Sequence, residues 1–176
     1  MKSRFDGASV ARALLLAAGM WCDAMAVQAA QAAPVTPVAP VASVAPGPVI
    51  PFDETSWAQL LRGTVRPAAF LFTTSYCATC VQAFDSVQKE LRARGARVPV
   101  NVVMMDVEGA SAQHHAMLFQ GLTTLYAFDG FEPAIRQSVD PAWPNVTPYM
   151  VLIDRRGQLQ RVLGQPTATV LKRWLR

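Results

Sequence analysis

The stretch FLFTTSYCATCVQAF, Phe70 to Phe84, constrains this chain more than any other. An apolar run ends in two cysteines three residues apart, and helical spacing begins directly after them. A pair so placed is a metal clamp, a structural staple or a redox couple. As a staple it would close a very small loop, worth on the order of 2 kcal/mol by loop entropy. It would also join a strand end to its own helix and pin nothing distant. At the start of a helix the unpaired N–H groups and the dipole favour negative charge. A cysteine there is acidified toward the thiolate. Cys77 is then the exposed nucleophile, and Cys80, one turn on, is close enough to attack a mixed disulfide and release the partner.

Compartment bears on which reading holds. Lys2, Arg4 and Arg12 precede an apolar run from Ala13 to Cys22, and small residues follow. Basic, apolar, small is the order of a secretory signal peptide, with a cut near Ala30-Gln31-Ala32. Residues 1–32 are accordingly predicted to be a signal, and the protein to be exported and periplasmic. A lipoprotein anchor at Cys22 would need a small residue where Trp21 stands. An uncleaved anchor is the stronger alternative, although about 20 apolar residues are reached only by including Asp23, Gln28 and Gln31. Cleavage removes Cys22 and leaves Cys77 and Cys80 alone; it also takes the net charge from +4 to about +3. So mild an excess reads as a solvated surface. The basic residues are not interleaved with aromatics as nucleic-acid binding would require.

Residues 33–51 read as a linker. From Pro34 the chain runs PVTPVAPVASVAPGPVIP without a charge, which excludes an internal strand or helix. It is predicted to be an extended spacer of about 3.1 Å per residue, roughly 55 Å in all, and a stalk if the signal stays uncut. Residues 52–176 read as one domain. SWAQLLRG (Ser56 to Gly63) is a short helix with Ser56 as its cap, and Ala68 to Thr74 is a buried strand. Val81 to Gly95 has mostly helical spacing ended by glycine, and Val98 to Val107 is a second buried strand. Ser111 to Phe128 is predicted as one helix weakened by Gly121, and Phe131 to Val139 as a shorter one. Thr147 to Asp154 and Gln158 to Gly164 form a hairpin about a turn at Asp154 to Gly157, and a helix closes the chain. The order implies an α/β sandwich with a mixed sheet.

Strand, aromatic residue, C-x-x-C, helix, strand and a Thr-Pro before a terminal hairpin resemble the thioredoxin superfamily, in particular its exported, often membrane-tethered thiol-disulfide oxidoreductases. The resemblance implies an α/β thioredoxin-like fold, a central mixed β-sheet flanked by helices. Residues 108–146 would then be a helical insertion before the cis-proline loop that bears on partner choice. It matches Tyr76 to the aromatic residue before the nucleophile, Cys77 and Cys80 to the redox pair, and Pro148 to the cis-proline facing the disulfide. Thr147 would offer backbone hydrogen bonds to a substrate peptide, and Trp143, close to that loop, would wall the partner groove. The implied partners are protein thiols and disulfides, with a membrane electron donor if the protein is a reductase. No organic cofactor is implied, because the dithiol carries both electrons. The sequence departs from thioredoxins in lacking the buried acid of the strand before the motif, where it reads Phe70-Leu71-Phe72, and in enclosing Ala78-Thr79 rather than Gly-Pro.

Two other functions stay open on sequence alone. A copper-delivery protein of similar fold would use the cysteines with a histidine, and the only histidines are the neighbours His114 and His115. Adjacent helical residues point about 100° apart, so both can hardly reach one ion, and no metal ligand is assigned. A binding module that has kept the motif without using it is the third.

Overall fold

The computed structural model describes residues 47–176. The expected signal, and the spacer up to residue 46, lie outside them. Among the described residues no helix is long and apolar enough to cross a membrane.

The centre of the molecule is the strand that precedes the cysteines. All six residues of β2 (Ala68–Thr73) are buried, as a continuous apolar run requires when both faces of a strand are covered. β2 pairs in parallel with β3 (Val100–Met104) and antiparallel with β5 (Tyr149–Ile153). β1 (Val49–Phe52), β4 (Leu125–Phe128) and β6 (Leu159–Leu163) complete one sheet in the order β1-β4-β3-β2-β5-β6. Among the described residues five helices flank it: α1 (Ser56–Gly63), α2 (Ala78–Ala93), α3 (Gly109–Ala116), α4 (Glu132–Val139) and α5 (Ala168–Trp174). This is the α/β, thioredoxin-like architecture, with β1 to β4 mutually parallel and β5-β6 an antiparallel hairpin.

Alternation along β2 divides the core. Ala69 and Leu71 face α2, α3 and α5, together with Cys80, Phe84, Val87, Leu91 and Trp174. Ala68, Phe70 and Phe72 face α1 and α4, together with Phe52, Trp57, Ile135, Val139 and Tyr149. On that second side Trp57 meets Phe70 edge-on at 5.3 Å and Phe52 meets Phe72 at 5.8 Å. Each such aromatic pair adds about 0.5–1.5 kcal/mol beyond the area it buries.

Three boundaries differ from the sequence reading. The first strand starts at Val49, inside the spacer expected to run to Pro51. It lies at the edge of the sheet, where a proline's missing donor removes no ladder bond, and its last residue, Phe52, anchors it in the aromatic core. The single helix expected over Ser111 to Phe128 is wrong. α3 ends at Ala116, Gly121 takes a φ of 82°, and Leu125–Phe128 forms a strand between β1 and β3. The segment before the cis-proline loop is therefore helix, strand, helix, and its strand is part of the central sheet. Finally, the N-cap of α1 is Thr55, not Ser56, which is the first helical residue, and the Asp53 carboxylate accepts from the Ser56 N–H at 2.9 Å and from the Thr55 N–H at 2.8 Å. Hydrogen bonds from the Ser56 and Thr55 side chains, ahead of those from the backbone, hold the Asp53 carboxyl below its ordinary range.

Candidate functional site

The parallel strands deliver their C-terminal ends, and the loops that follow, to one pole. There β2 runs out at Thr73, four residues before Cys77, and Cys77 is the N-cap residue of α2. No side chain caps this helix and its first turn holds no acidic residue. Cys80 sits one turn inside and is fully buried among Ala83, Phe84 and Val87, while Cys77 stays partly exposed. The two are joined as a disulfide with Cα atoms 5.4 Å apart. The buried sulfur thus has its environment fixed by the core, and the outer one is open to an incoming molecule.

The loop carrying Cys77 is held from both sides. Asp106, just past β3, accepts hydrogen bonds from the Ser75 N–H at 2.8 Å and the Ser75 hydroxyl at 2.6 Å. Within the motif the Thr79 hydroxyl lies 3.8 Å from the Cys77 sulfur. Sequence reasoning missed both contacts. An acid directly after a buried strand was the only signal for Asp106, and nothing in the sequence linked it to Ser75, 31 residues away.

Pro148 belongs to the same pole. The peptide bond Thr147–Pro148 is cis, as the resemblance implies; Arg66–Pro67 is a second cis bond that the sequence reading did not anticipate. Because Phe72 pairs with Tyr149 in antiparallel register, Pro148 stands level with Thr73 at the end of β2. The Pro148 carbonyl accepts from the Gly164 N–H at 2.9 Å. Among the described residues neither backbone group of Thr147 makes a backbone hydrogen bond. Tyr76 is 79% exposed and Val146 50% exposed. They place apolar surface at the two edges of the pole, one before Cys77 and one before Thr147.

Trp143, expected to wall the partner groove, lies almost wholly within the aromatic core. It is 8% exposed, stacks on Tyr149 at 4.1 Å, meets Phe72 edge-on at 5.0 Å and donates its indole N–H to the Val146 carbonyl at 3.2 Å. It supports the cis-proline loop from beneath. A polar cluster flanks it: the Tyr149 hydroxyl donates to Asp140, which also pairs with Arg161 at 3.2 Å and accepts from the Ala142 N–H at 3.1 Å. Burial, with the bond to Asp140 adding to it, raises the Tyr149 hydroxyl well above its ordinary range, so it remains a neutral donor. Burial alone would also raise the Asp140 carboxyl. Tyr149, the Ala142 N–H and Arg161 together outweigh it and hold the group below its usual range.

A depressed folded value means that the stabilisation is complete above the unfolded carboxyl value of about 3.9. It is lost as pH falls through the lower folded one. Asp140→Ala strands the buried Tyr149 hydroxyl and should lower stability at pH 7 by about 1–3 kcal/mol. In denaturant titrations the gap between wild type and variant should narrow below about pH 4; a gap that persists unchanged to strong acid would show that the carboxylate charge is not what acts.

His114 and His115 stand on α3, with ring centroids 5.8 Å from each other. Among the described residues no three histidine, cysteine or acidic side chains gather as a metal site. The buried polar residues are Thr73 and Asn101, so no carboxylate lies beneath the pair among the described residues, in keeping with the apolar Phe70-Leu71-Phe72.

No family model and no curated protein matches the chain. Solved structures similar to it include a secreted Mycobacterium tuberculosis disulfide oxidoreductase homologous to E. coli DsbE, 19% identical, covering 58% of this chain and 70% of that one at a TM-score of 0.41. Another is a thio-disulfide isomerase from Thermus thermophilus, 19% identical over 64% of this chain and 79% of that one, at 0.46. StoA from Bacillus subtilis is 19% identical over 61% and 80%, at 0.42.

Proposed function

We propose that this chain is an exported protein thiol-disulfide oxidoreductase working in the reducing direction. The observation that carries the proposal is the asymmetry of the pair: Cys77 open at the uncapped start of α2, Cys80 buried one turn behind it. In the reduced protein the helix N-terminus favours a Cys77 thiolate, and the Thr79 hydroxyl is placed to donate to it. The thiolate attacks one sulfur of a partner's disulfide, and the other sulfur leaves as a thiolate that takes up a proton. Cys80, losing its proton, then attacks the Cys77 sulfur. The partner's second thiolate leaves, and two electrons have passed from the Cys77–Cys80 dithiol to the partner. The backbone groups of Thr147 and the exposed Tyr76 and Val146 would hold the partner's chain in an extended form. A second dithiol protein, at the membrane, would return the pair to its reduced state.

What favours reduction over oxidation is Asp106. Its carboxylate occupies the Ser75 N–H, two residues before the nucleophile, and a fixed anion there opposes the thiolate. A less stable thiolate makes a less stable reduced form, hence a stronger reductant. Equilibration of the full chain against glutathione or a dithiol buffer should give a potential of about −250 mV or lower. Asp106→Asn, which keeps one acceptor oxygen for the Ser75 N–H and removes the charge, should raise it by roughly 10–30 mV, a two- to tenfold change in the equilibrium constant. A wild-type value near about −120 to −180 mV would overturn the direction. A pair that never cycles between dithiol and disulfide would overturn the exchange reading altogether.

A further inference from the structure

The mild net charge conceals a separation. Because β1 to β4 share one polarity, the loops after them gather at the Cys77 pole and the loops before them gather at the opposite one. Acidic residues follow the strands: Asp53 and Glu54 after β1, Asp106 and Glu108 after β3, Asp129 after β4. Arginines occupy the other end: Arg66 ahead of β2, Arg92 at the end of α2, Arg97 ahead of β3, Arg155 and Arg156 in the β5-β6 turn, Arg176 after α5, all exposed. Some of them come together in space. Arg94, Arg97 and Arg155 line one cavity of about 300 Å³ with Pro67, Val98 and Leu175, and the Arg66 side chain lies against Gly157 in the same turn. The acids at this end are already committed. Glu90 pairs with Arg94 at 2.6 Å, and the Asp154 carboxylate accepts the backbone N–H groups of Arg156 and Gln158 at 2.8 Å each.

The chain also enters the domain here. The N-terminal end of β1 lies on the side from which β2 and β3 begin. Gly47, the first described residue and two before β1, therefore lies at the arginine pole. We infer that this pole is a docking face for an anionic phospholipid surface, and that it turns the Cys77 pole outward. The arginines come from several separate loops and the C-terminus, an arrangement suited to many diffuse phosphate contacts. Basic residues near an anionic bilayer each contribute about fivefold in binding, and the attraction fades with salt.

The test is flotation of the full-length chain with phosphatidylcholine vesicles, with and without phosphatidylglycerol. The wild type should favour the phosphatidylglycerol vesicles by about tenfold or more, and the preference should collapse at high salt. Lys2, Arg4 and Arg12 would feed the same preference, so the decisive comparison is Arg97→Gln/Arg155→Gln/Arg156→Gln. That triple variant should lose roughly a hundredfold in binding to the anionic vesicles, and the corresponding lysine triple should keep it. Unchanged disulfide-reducing activity in both would show intact folding. An unchanged preference in the glutamine triple overturns the inference. Arginine-dependent binding to polyglutamate without binding to the vesicles overturns it in favour of an acidic protein. Cys77→Ser should float like the wild type, so failure of the exchange chemistry and failure of this docking face are separable.

Discussion

Cys77→Ser is expected to reduce disulfide exchange to the uncatalysed background, a loss on the order of 10³-fold or more, as removal of a covalent nucleophile generally produces. Cys80→Ser should behave differently. The first attack needs only Cys77, so this variant should still react with partner disulfides and then stall. Mixed disulfides should accumulate on Cys77, visible on non-reducing gels and released by dithiothreitol. The reason is the difference in burial: Cys77 is partly exposed and Cys80 wholly enclosed by α2 and the sheet, so an external disulfide reaches one sulfur and not the other. Alkylation of the reduced protein should accordingly label Cys77 much faster than Cys80. Equal trapping by both serine variants would mean that the roles are not divided in this way. Undiminished function in Cys77→Ser would make the chain a binding module.

The central strand, the cysteine pair, its helix and the terminal hairpin were legible because each rests on local chemistry. Continuous burial writes an apolar run into β2; Asp154 and Gly157 write the turn. β4 was not legible, since Leu125-Tyr126-Ala127-Phe128 is four residues long and suits either a strand or a helix end. What decides it is the space between β1 and β3, a tertiary fact. β1 was obscured by Pro51, which is excluded from a central strand but harmless at an edge. The site shows the same division. Cys77, Cys80 and Pro148 could be placed from spacing and resemblance, whereas the grip of Asp106 on Ser75 and the Tyr149–Asp140–Arg161 cluster join residues far apart in sequence.

Trp143 is where sequence and structure part most sharply, and one experiment separates the two readings. A tryptophan lining a partner groove would, when replaced by alanine, raise the KM for a protein disulfide and leave stability nearly unchanged. The packing on Tyr149 and Phe72 predicts the reverse. Trp143→Ala removes a large buried aromatic and should cost about 3–5 kcal/mol, a fall in Tm of roughly 10 °C or more. The indole lies under the loop that carries Pro148 and donates to Val146, the residue before Thr147. Activity should therefore fall as well, through a loop that has lost its support. Trp143→Phe keeps most of the ring and loses the N–H to Val146, so it should cost far less, about 1 kcal/mol for the hydrogen bond plus a small cavity. Its activity should be nearly restored. A Trp143→Ala protein with an unchanged Tm and a raised KM would return this residue to the groove. Loss of stability in alanine and recovery in phenylalanine would identify it as the internal prop that holds the substrate loop level with the end of β2.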